Sequence, residues 1–260
     1  MADPRALIII GDPHDLAPSW TCPEGHLRRA AAAGRHPRRP APVADLWETP
    51  AMLSICILGT GRMATTLARC WLEKGHTIIL GSRDPQAART RLGALAEQLS
   101  VGDFASACAR AEVIVLAVPW DAARDVLAAC GALDGKIIID TTNPWSPATD
   151  RPDVDPNTSG AEEIARMVPE AHVVKALNGI FWKNLLDPTF SGLRASMFYC
   201  GDDDSAKSTV AELALEMNFD PIDCGPLPRA RILESMGLLW ARLAFEQGMG
   251  TDIAMILVRR

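Results

Sequence analysis

The stretch Ile55-Cys56-Ile57-Leu58-Gly59-Thr60-Gly61-Arg62-Met63-Ala64 decides the fold. The β-prone run Leu53–Leu58 ends at Gly59. Beyond it, Met63, Leu67, Cys70 and Trp71 recur at helical spacing until Lys74-Gly75, a basic last turn with a glycine stop. Thr77-Ile78-Ile79-Leu80 is then a second strand. GxGxxA is weak alone, but here it leaves a strand, opens a helix and is followed by another strand within about thirty residues. In such a loop Gly59 permits the tight turn, Gly61 lets the backbone approach a diphosphate, and Ala64 lets helix and strand pack closely. The helix start adds unpaired N–H groups and about half a positive charge.

Outward from this unit the same alternation continues. Pro85–Leu99 reads as a helix opened by Asp84, and Phe104–Arg110 as a short one. Val113–Val118 is a fully apolar strand, Asp121–Cys130 a helix and Lys136–Asp140 another strand. Ala161–Met167 is helical and His172–Ala176 is again a strand. Continuous apolar strands alternating with helices require a sheet covered on both faces. The fold class is therefore α/β, a doubly wound Rossmann-type parallel sheet. A small C-terminal α/β extension follows, with strand Ser196–Cys200, helix Ala206–Met217, strand Pro221–Cys224 and a long terminal helix over Ala230–Glu246. That helix carries a wide apolar stripe through Ile232, Leu233, Met236, Leu239, Trp240, Leu243 and Ala244. It would pack on the sheet domain or on a second subunit, which makes a homodimer plausible. The expected organisation is an extension over 1–51, an NADP-binding Rossmann domain over 52–178, and an acceptor-side and dimerisation segment over 179–260.

Residues 1–51 differ in kind. They hold eight of the 19 prolines and three of the five histidines, and no sustained period of 3.6 or 2. Such a segment has little to bury against its chain entropy. Only Ala6–Ile10 could make a short strand. It lacks the order of a secretory signal, and six acids balance its six arginines, unlike a mitochondrial presequence. The segment reads as a disordered extension or as sequence preceding a true start at Met52. The whole chain of 260 residues has 26 Lys+Arg against 32 Asp+Glu, with 48% apolar residues. A net charge of −6 argues against nucleic acid as a partner. Its longest apolar runs are too short for a membrane span. Seven scattered cysteines, with no CxxC pair, read as free thiols in a reducing cytoplasm. No metal site is expected: Asp202-Asp203-Asp204 point different ways and suit a helix start.

The end of the second strand selects the nucleotide. An NAD site places Asp or Glu there for the ribose 2′-OH. This chain has Gly81-Ser82-Arg83, a hydroxyl donor and a guanidinium fork that attract a 2′-phosphate. NADP is the expected cofactor. Residues at other strand ends are the candidates for chemistry: Pro119 and Trp120, Asn143, Lys175 and Asn178. Each has a structural alternative, as a turn former, a core aromatic or a polar border to a buried strand. Gly248-Met249-Gly250 either brings backbone close to an acceptor ring or ends the long helix.

A set of motifs in fixed order carries a resemblance: ILGTGRMATTLA (57–68), GSRDP (81–85), AVPW (117–120), CGDDD (200–204), DCGPLPRARILES (223–235) and GMG (248–250). From Met52 onward the chain resembles the NADPH-dependent oxidoreductases that use the deazaflavin coenzyme F420. It is also similar to the cytosolic NADPH-flavin domain of the six-transmembrane ferric reductases, in Asp140-Thr141-Thr142-Asn143 and Val174-Lys175-Ala176-Leu177-Asn178. The resemblance implies that Thr60, Ser82 and Arg83 hold the 2′-phosphate. It implies that Arg62 and Met63 give backbone N–H groups to the diphosphate, and that Val118, Pro119 and Trp120 line the nicotinamide side. The deazaflavin enzymes often add a lysine a few residues past the Ser-Arg pair. Here Gln86, Ala87 and Ala88 stand in that neighbourhood, with Arg89 as a substitute.

Three functions remain open on this reading. The first is hydride transfer between NADP(H) and coenzyme F420 or a flavin (FAD or FMN), which needs no protein nucleophile because the cofactors carry the reaction. The second is an NADPH-dependent reductase of a small carbonyl or imine, for which Lys175 and Asn178 have a suitable spacing. The third is a non-catalytic dinucleotide-sensing module.

Overall fold

The computed structural model describes residues 52–145 and 151–259. The expectations for residues 1–51, including a strand over Ala6–Ile10, lie outside the described residues. The order is β1 (Ser54–Leu58), α1 (Arg62–Glu73), β2 (Thr77–Gly81), α2 (Pro85–Leu92), β3 (Ser100–Gly102), α3 (Phe104–Ala109), β4 (Val113–Leu116), α4 (Trp120–Ala128), β5 (Ile137–Asp140), α5 (Gly160–Met167) and β6 (His172–Lys175). A 3-10 turn (Trp182–Leu185) and a hairpin of β7 (Thr189–Phe190) and β8 (Leu193–Arg194) follow. The chain continues with β9 (Ser196–Gly201), α6 (Asp204–Glu216), β10 (Asp220–Asp223) and α7 (Ala230–Ala241).

The helix starts follow capping chemistry. Asp84, Asp103 and Asp203 each accept the N–H three residues on, from Ala87, Ser106 and Ala206. Two helices depart from expectation. The one expected over 85–99 stops at Leu92, because Gly93 turns out of the helix at φ +55°, and a 3-10 segment leads into β3, a strand absent from the sequence reading. The one expected over 230–246 is α-helical to Ala241 and π-helical over Arg242–Glu246.

The eight-stranded sheet has the order β10-β9-β6-β5-β4-β1-β2-β3. From β3 to β6 this is the doubly wound 3-2-1-4-5-6 arrangement, which reverses between β1 and β4. The expected parallel sheet is present from β3 to β6, and the C-terminal extension adds to its edge: β9 runs antiparallel to β6. Between those strands the chain has a 3-10 turn and a hairpin instead of a crossover helix, so it re-enters the sheet reversed. β10 follows after the α6 crossover and pairs parallel with β9.

Residues alternate between the two sheet faces. Ile55 and Ile57 enter one core with Leu67 and Trp71 of α1, while Cys56 and Leu58 enter the other with Val126 and Leu127 of α4. All four β1 residues are fully buried, as a covered sheet requires. The first core also contains Val210 and Leu213 of α6 with Met217 and Phe219 just beyond it, so the segment after β6 shares it. Trp71 is the direct link: its indole N–H donates to the Leu213 carbonyl at 3.3 Å. Residues Met52–Leu257 form one compact unit. The six described cysteines are free, five of them buried. Among the described residues no helix is long and apolar enough to cross a membrane.

Trp71→Ala is expected to lower stability by about 3–5 kcal/mol, the usual loss for a buried large aromatic. Urea unfolding checks this; a loss under about 1 kcal/mol would show that α1 and α6 do not share a working core.

Candidate nucleotide-binding and acceptor site

The strand order reverses between β1 and β4, and the crevice above their C-terminal ends is where this fold takes ligands. Gly59 forms its floor at φ +115°. Its N–H donates to the Gly81 carbonyl at 2.9 Å, and a Cβ at this position would stand 2.6 Å from the Ala117 carbonyl oxygen. Gly59 is therefore required by the fold itself. Gly61 differs: its φ is −78°, and a Cβ there would meet nothing within 4 Å. The space beside it is open. The first intrahelical bond of α1 runs from the Thr65 N–H to the Gly61 carbonyl. The N–H groups before it, including those of Arg62 and Met63, have no intrahelical partner. No side chain caps them and no acid lies in the first turn.

Cations surround this helix mouth. A cleft of about 430 Å³ is lined by Thr60, Gly61, Arg62, Thr65, Arg91 and Leu92. Arg62 is exposed and its guanidinium lies 5.4 Å over the Trp182 ring. Arg91 donates to the Thr60 hydroxyl. Arg83 is exposed at the end of β2. Among the described residues none of these three arginines pairs with a carboxylate. Ser82 is buried, and its hydroxyl donates to the Asp84 carbonyl and accepts the Asp84 N–H, so it shapes the turn that presents Arg83. Arg89 does not fill the place considered for it: its guanidinium donates to the Val101 carbonyl. An open glycine, unpaired helix N–H groups and unpaired guanidinium groups fit a nucleotide bearing both a diphosphate and a separate phosphate.

The other side of the crevice holds the residues considered for chemistry. Val118 is half-buried against Gly59, and Pro119 is exposed at the start of α4. Trp120 is half-buried, with its ring lying against Gly160 at the start of α5. Asn143 and Asn178 bond each other, the Asn143 amide donating to the Asn178 carbonyl at 2.9 Å and the Asn178 amide to Asn143 Oδ1 at 3.1 Å. Asn178 also donates to the Leu233 carbonyl at 2.8 Å, tying both strand ends to α7. Both amides are thus engaged in joining loops. Leu177, between Lys175 and this pair, has φ 59°, a strained conformation for leucine.

Lys175 requires a correction. As a group meeting an acceptor it would need access, but its relative exposure is 0%. Its Nζ lies 2.8 Å from Asp140 Oδ2 and 3.2 Å from Glu234 Oε1, and both acids are equally sealed. Glu234 also accepts the Gly160 and Ala161 N–H groups at the start of α5. Asp140 Oδ1 accepts from the Thr142 N–H and hydroxyl. Burial alone would lower the Lys175 pKa, but Asp140 and Glu234 outweigh it and hold the ammonium above its ordinary value. Burial pushes the Glu234 carboxyl up, with Lys175 opposing. Lys175 is a charged structural cross-link. Gly248, Met249 and Gly250 are exposed, and both glycines have positive φ. The Met249 and Gly250 N–H groups bond the Leu243 and Ala244 carbonyls, so the segment ends the long helix.

Sequence reasoning missed Arg91, Trp182 and Glu234. Glu234 left a signal, a lone acid inside an apolar helical stripe. Arg91 and Trp182 left none, since their partners Thr60 and Arg62 are remote in sequence.

Comparison with known proteins identifies the family. The family model described as NADP oxidoreductase, coenzyme F420-dependent, matches residues 54–144. A solved structure from Arthrobacter sp. FB24, provisionally named an F420-dependent NADP reductase, is 32% identical with a TM-score of 0.73, covering 80% of this chain and 100% of that one. The chain belongs to the coenzyme F420-dependent NADP oxidoreductase family. It is an oxidoreductase of NADP(H). The F420-dependent NADP reductase of Methanothermobacter thermautotrophicus is 29% identical over 201 residues, 71% of this chain and 86% of that protein. Metalloreductase STEAP3 of Rattus norvegicus is 34% identical over 182 residues, 70% of this chain. The chain spans 36% of the length of that metalloreductase.

Two substitutions separate the roles of the family's glycines. Gly59→Ala is expected to destabilise the protein severely, because the clash is with backbone. Gly61→Ala is expected to fold normally yet lose NADPH affinity at least about tenfold, about 1.4 kcal/mol. Thermal melts with calorimetric titration check both; normal NADPH binding by Gly61→Ala would remove the diphosphate from this loop. Lys175→Met is expected to cost about 3–5 kcal/mol by leaving two acids buried without their cation. A variant with native unfolding behaviour but no turnover would instead make the amine a chemical participant.

Proposed function

We propose that this oxidoreductase transfers hydride between NADP(H) and a deazaflavin of the coenzyme F420 type, or a flavin, held at the β4–β6 side of the crevice. When bound, the nicotinamide supplies or takes the hydride, and a deazaflavin or flavin ring is a two-electron partner for it. What this chain contributes is placement. The α1 mouth with Gly61 holds the diphosphate, and Arg83 holds the phosphate that distinguishes NADP from NAD. Val118, Pro119 and Trp120 border the nicotinamide end and keep water away from it.

One observation carries the choice of acceptor class. Reducing a carbonyl or imine requires a proton as well as a hydride, and so a positioned acid or an ordered water. Among the described residues at these strand ends, Lys175 is sealed between two carboxylates, and Asn143 and Asn178 are engaged with each other. A ring acceptor exchanges its proton with solvent and asks for no such group. The Methanothermobacter relative, named an F420-dependent NADP reductase, supports the same choice. The relatives named as metalloreductases, together with the resemblance to the NADPH-flavin domain of the six-transmembrane ferric reductases, support a flavin as the alternative ring.

NADPH oxidation, followed at the nicotinamide absorbance band, is expected with coenzyme F420 or with FAD or FMN. None is expected with a small ketone or a cyclic imine. Turnover confined to the ketone or imine would overturn the proposal, as would tight NADPH binding without turnover on any acceptor, which would make the protein a sensor.

A further inference from the structure

We infer that Arg91 is a second cation of the 2′-phosphate subsite, gripping that group from the side opposite Arg83; the inference rests on the NADP reading above. α2 begins directly after the Ser82-Arg83 turn, and its cations are Arg89 and Arg91. Gln86, Ala87 and Ala88, nearest the turn, offer no charge. Arg89 is turned away to the Val101 carbonyl. Arg91 faces the nucleotide loop, where it donates to the Thr60 hydroxyl and lines the cleft beside Gly61 and Arg62. A helical side chain lies back over the turn preceding its own Cα. From the last turn of α2, that direction carries the guanidinium toward the end of β2.

The electrostatics point the same way. α2 contains no acid, and none of Arg62, Arg83 and Arg91 has a carboxylate partner among the described residues. Arg62 and Arg91 line one cleft, and like charges held side by side repel one another until an anion arrives. The bond to Thr60 uses one N–H of a group that has five, so the fork is oriented and most donors stay free. A planar fork suits a phosphate monoester, which offers more than one acceptor oxygen. Arg91 also stands on the α2 side of the loop. The diphosphate already has the unpaired N–H groups of α1, and the nicotinamide side lies across Gly59, against Ala117. The adenosine phosphate is what remains within reach.

Calorimetric titration of the full chain with NADPH, NADH and adenosine 2′,5′-bisphosphate tests this. Arg91→Ala is expected to raise the Kd for NADPH and for the bisphosphate about tenfold or more while NADH changes less than about twofold. Arg83→Ala is expected to behave alike. Arg91→Lys should recover part of the loss, because the charge survives without the fork. Arg89→Ala should leave the NADPH-to-NADH ratio unchanged. Equal weakening of NADPH and NADH by Arg91→Ala would move the residue to the diphosphate and overturn the inference. So would no change with either nucleotide. A wild-type protein that binds NADPH no better than NADH would instead overturn the NADP reading itself, whatever Arg91 does.

Discussion

One buried ammonium organises the β5–β6 side of the crevice. Lys175, at the end of β6, meets Asp140 at the end of β5 and Glu234 on α7, all three without solvent contact. Removing one cation and two carboxylates from water is costly, and the attraction between them offsets that only with good geometry and further hydrogen bonds. Those bonds are present. Thr142 satisfies Asp140, and the opening N–H groups of α5 satisfy Glu234. The helix mouth also offsets part of the excess negative charge. Five pieces of chain are thereby fixed to one another: two strand ends, the loop after β5, and helices α5 and α7. The crevice inherits its shape from this arrangement.

The same cluster limits the chemistry. A lysine at a strand end is a natural proton donor when water reaches it, and here it does not. The neighbouring amides of Asn143 and Asn178 are held by each other. Under the proposed hydride transfer, the protein's part is to position the nicotinamide and its acceptor and to exclude solvent. The nucleotide half works by a different principle, with open space and unpaired donors instead of saturated bonds. Gly61 leaves room, α1 leaves N–H groups, and the arginines leave charge. One half of the crevice is internally satisfied, while the other is unsatisfied until an anionic ligand completes it.

Much of this was legible in local sequence. The alternation of apolar strands with helices, the GxGxxA loop and the Gly-Ser-Arg edge depend on neighbours a few residues apart, and each stands where it was expected. Capping aspartates fixed helix starts for the same reason. Where the reading failed, a partner was distant. The hairpin before β9 was too short to register as strands, so the reversal of that strand was invisible. Lys175 was placed correctly at its strand end but given the wrong environment, because Asp140 and Glu234 converge on it from 35 and 59 positions away in the chain.

Sequence by itself determined the covered sheet, the shared direction of β1, β2, β4, β5 and β6, the dinucleotide loop and the Ser-Arg edge that suits a phosphorylated ribose. These follow from periodicity, turn chemistry and charge, which act over one or two turns of chain. Tertiary structure alone decided which polar groups face the cleft and which are sealed. Arg91 reaches the nucleotide loop and Arg89 does not, although a single residue separates them on one helix. The physical reason is that access and pairing are properties of the packed surface. They are set by what the fold brings against a side chain, and no local pattern carries that information.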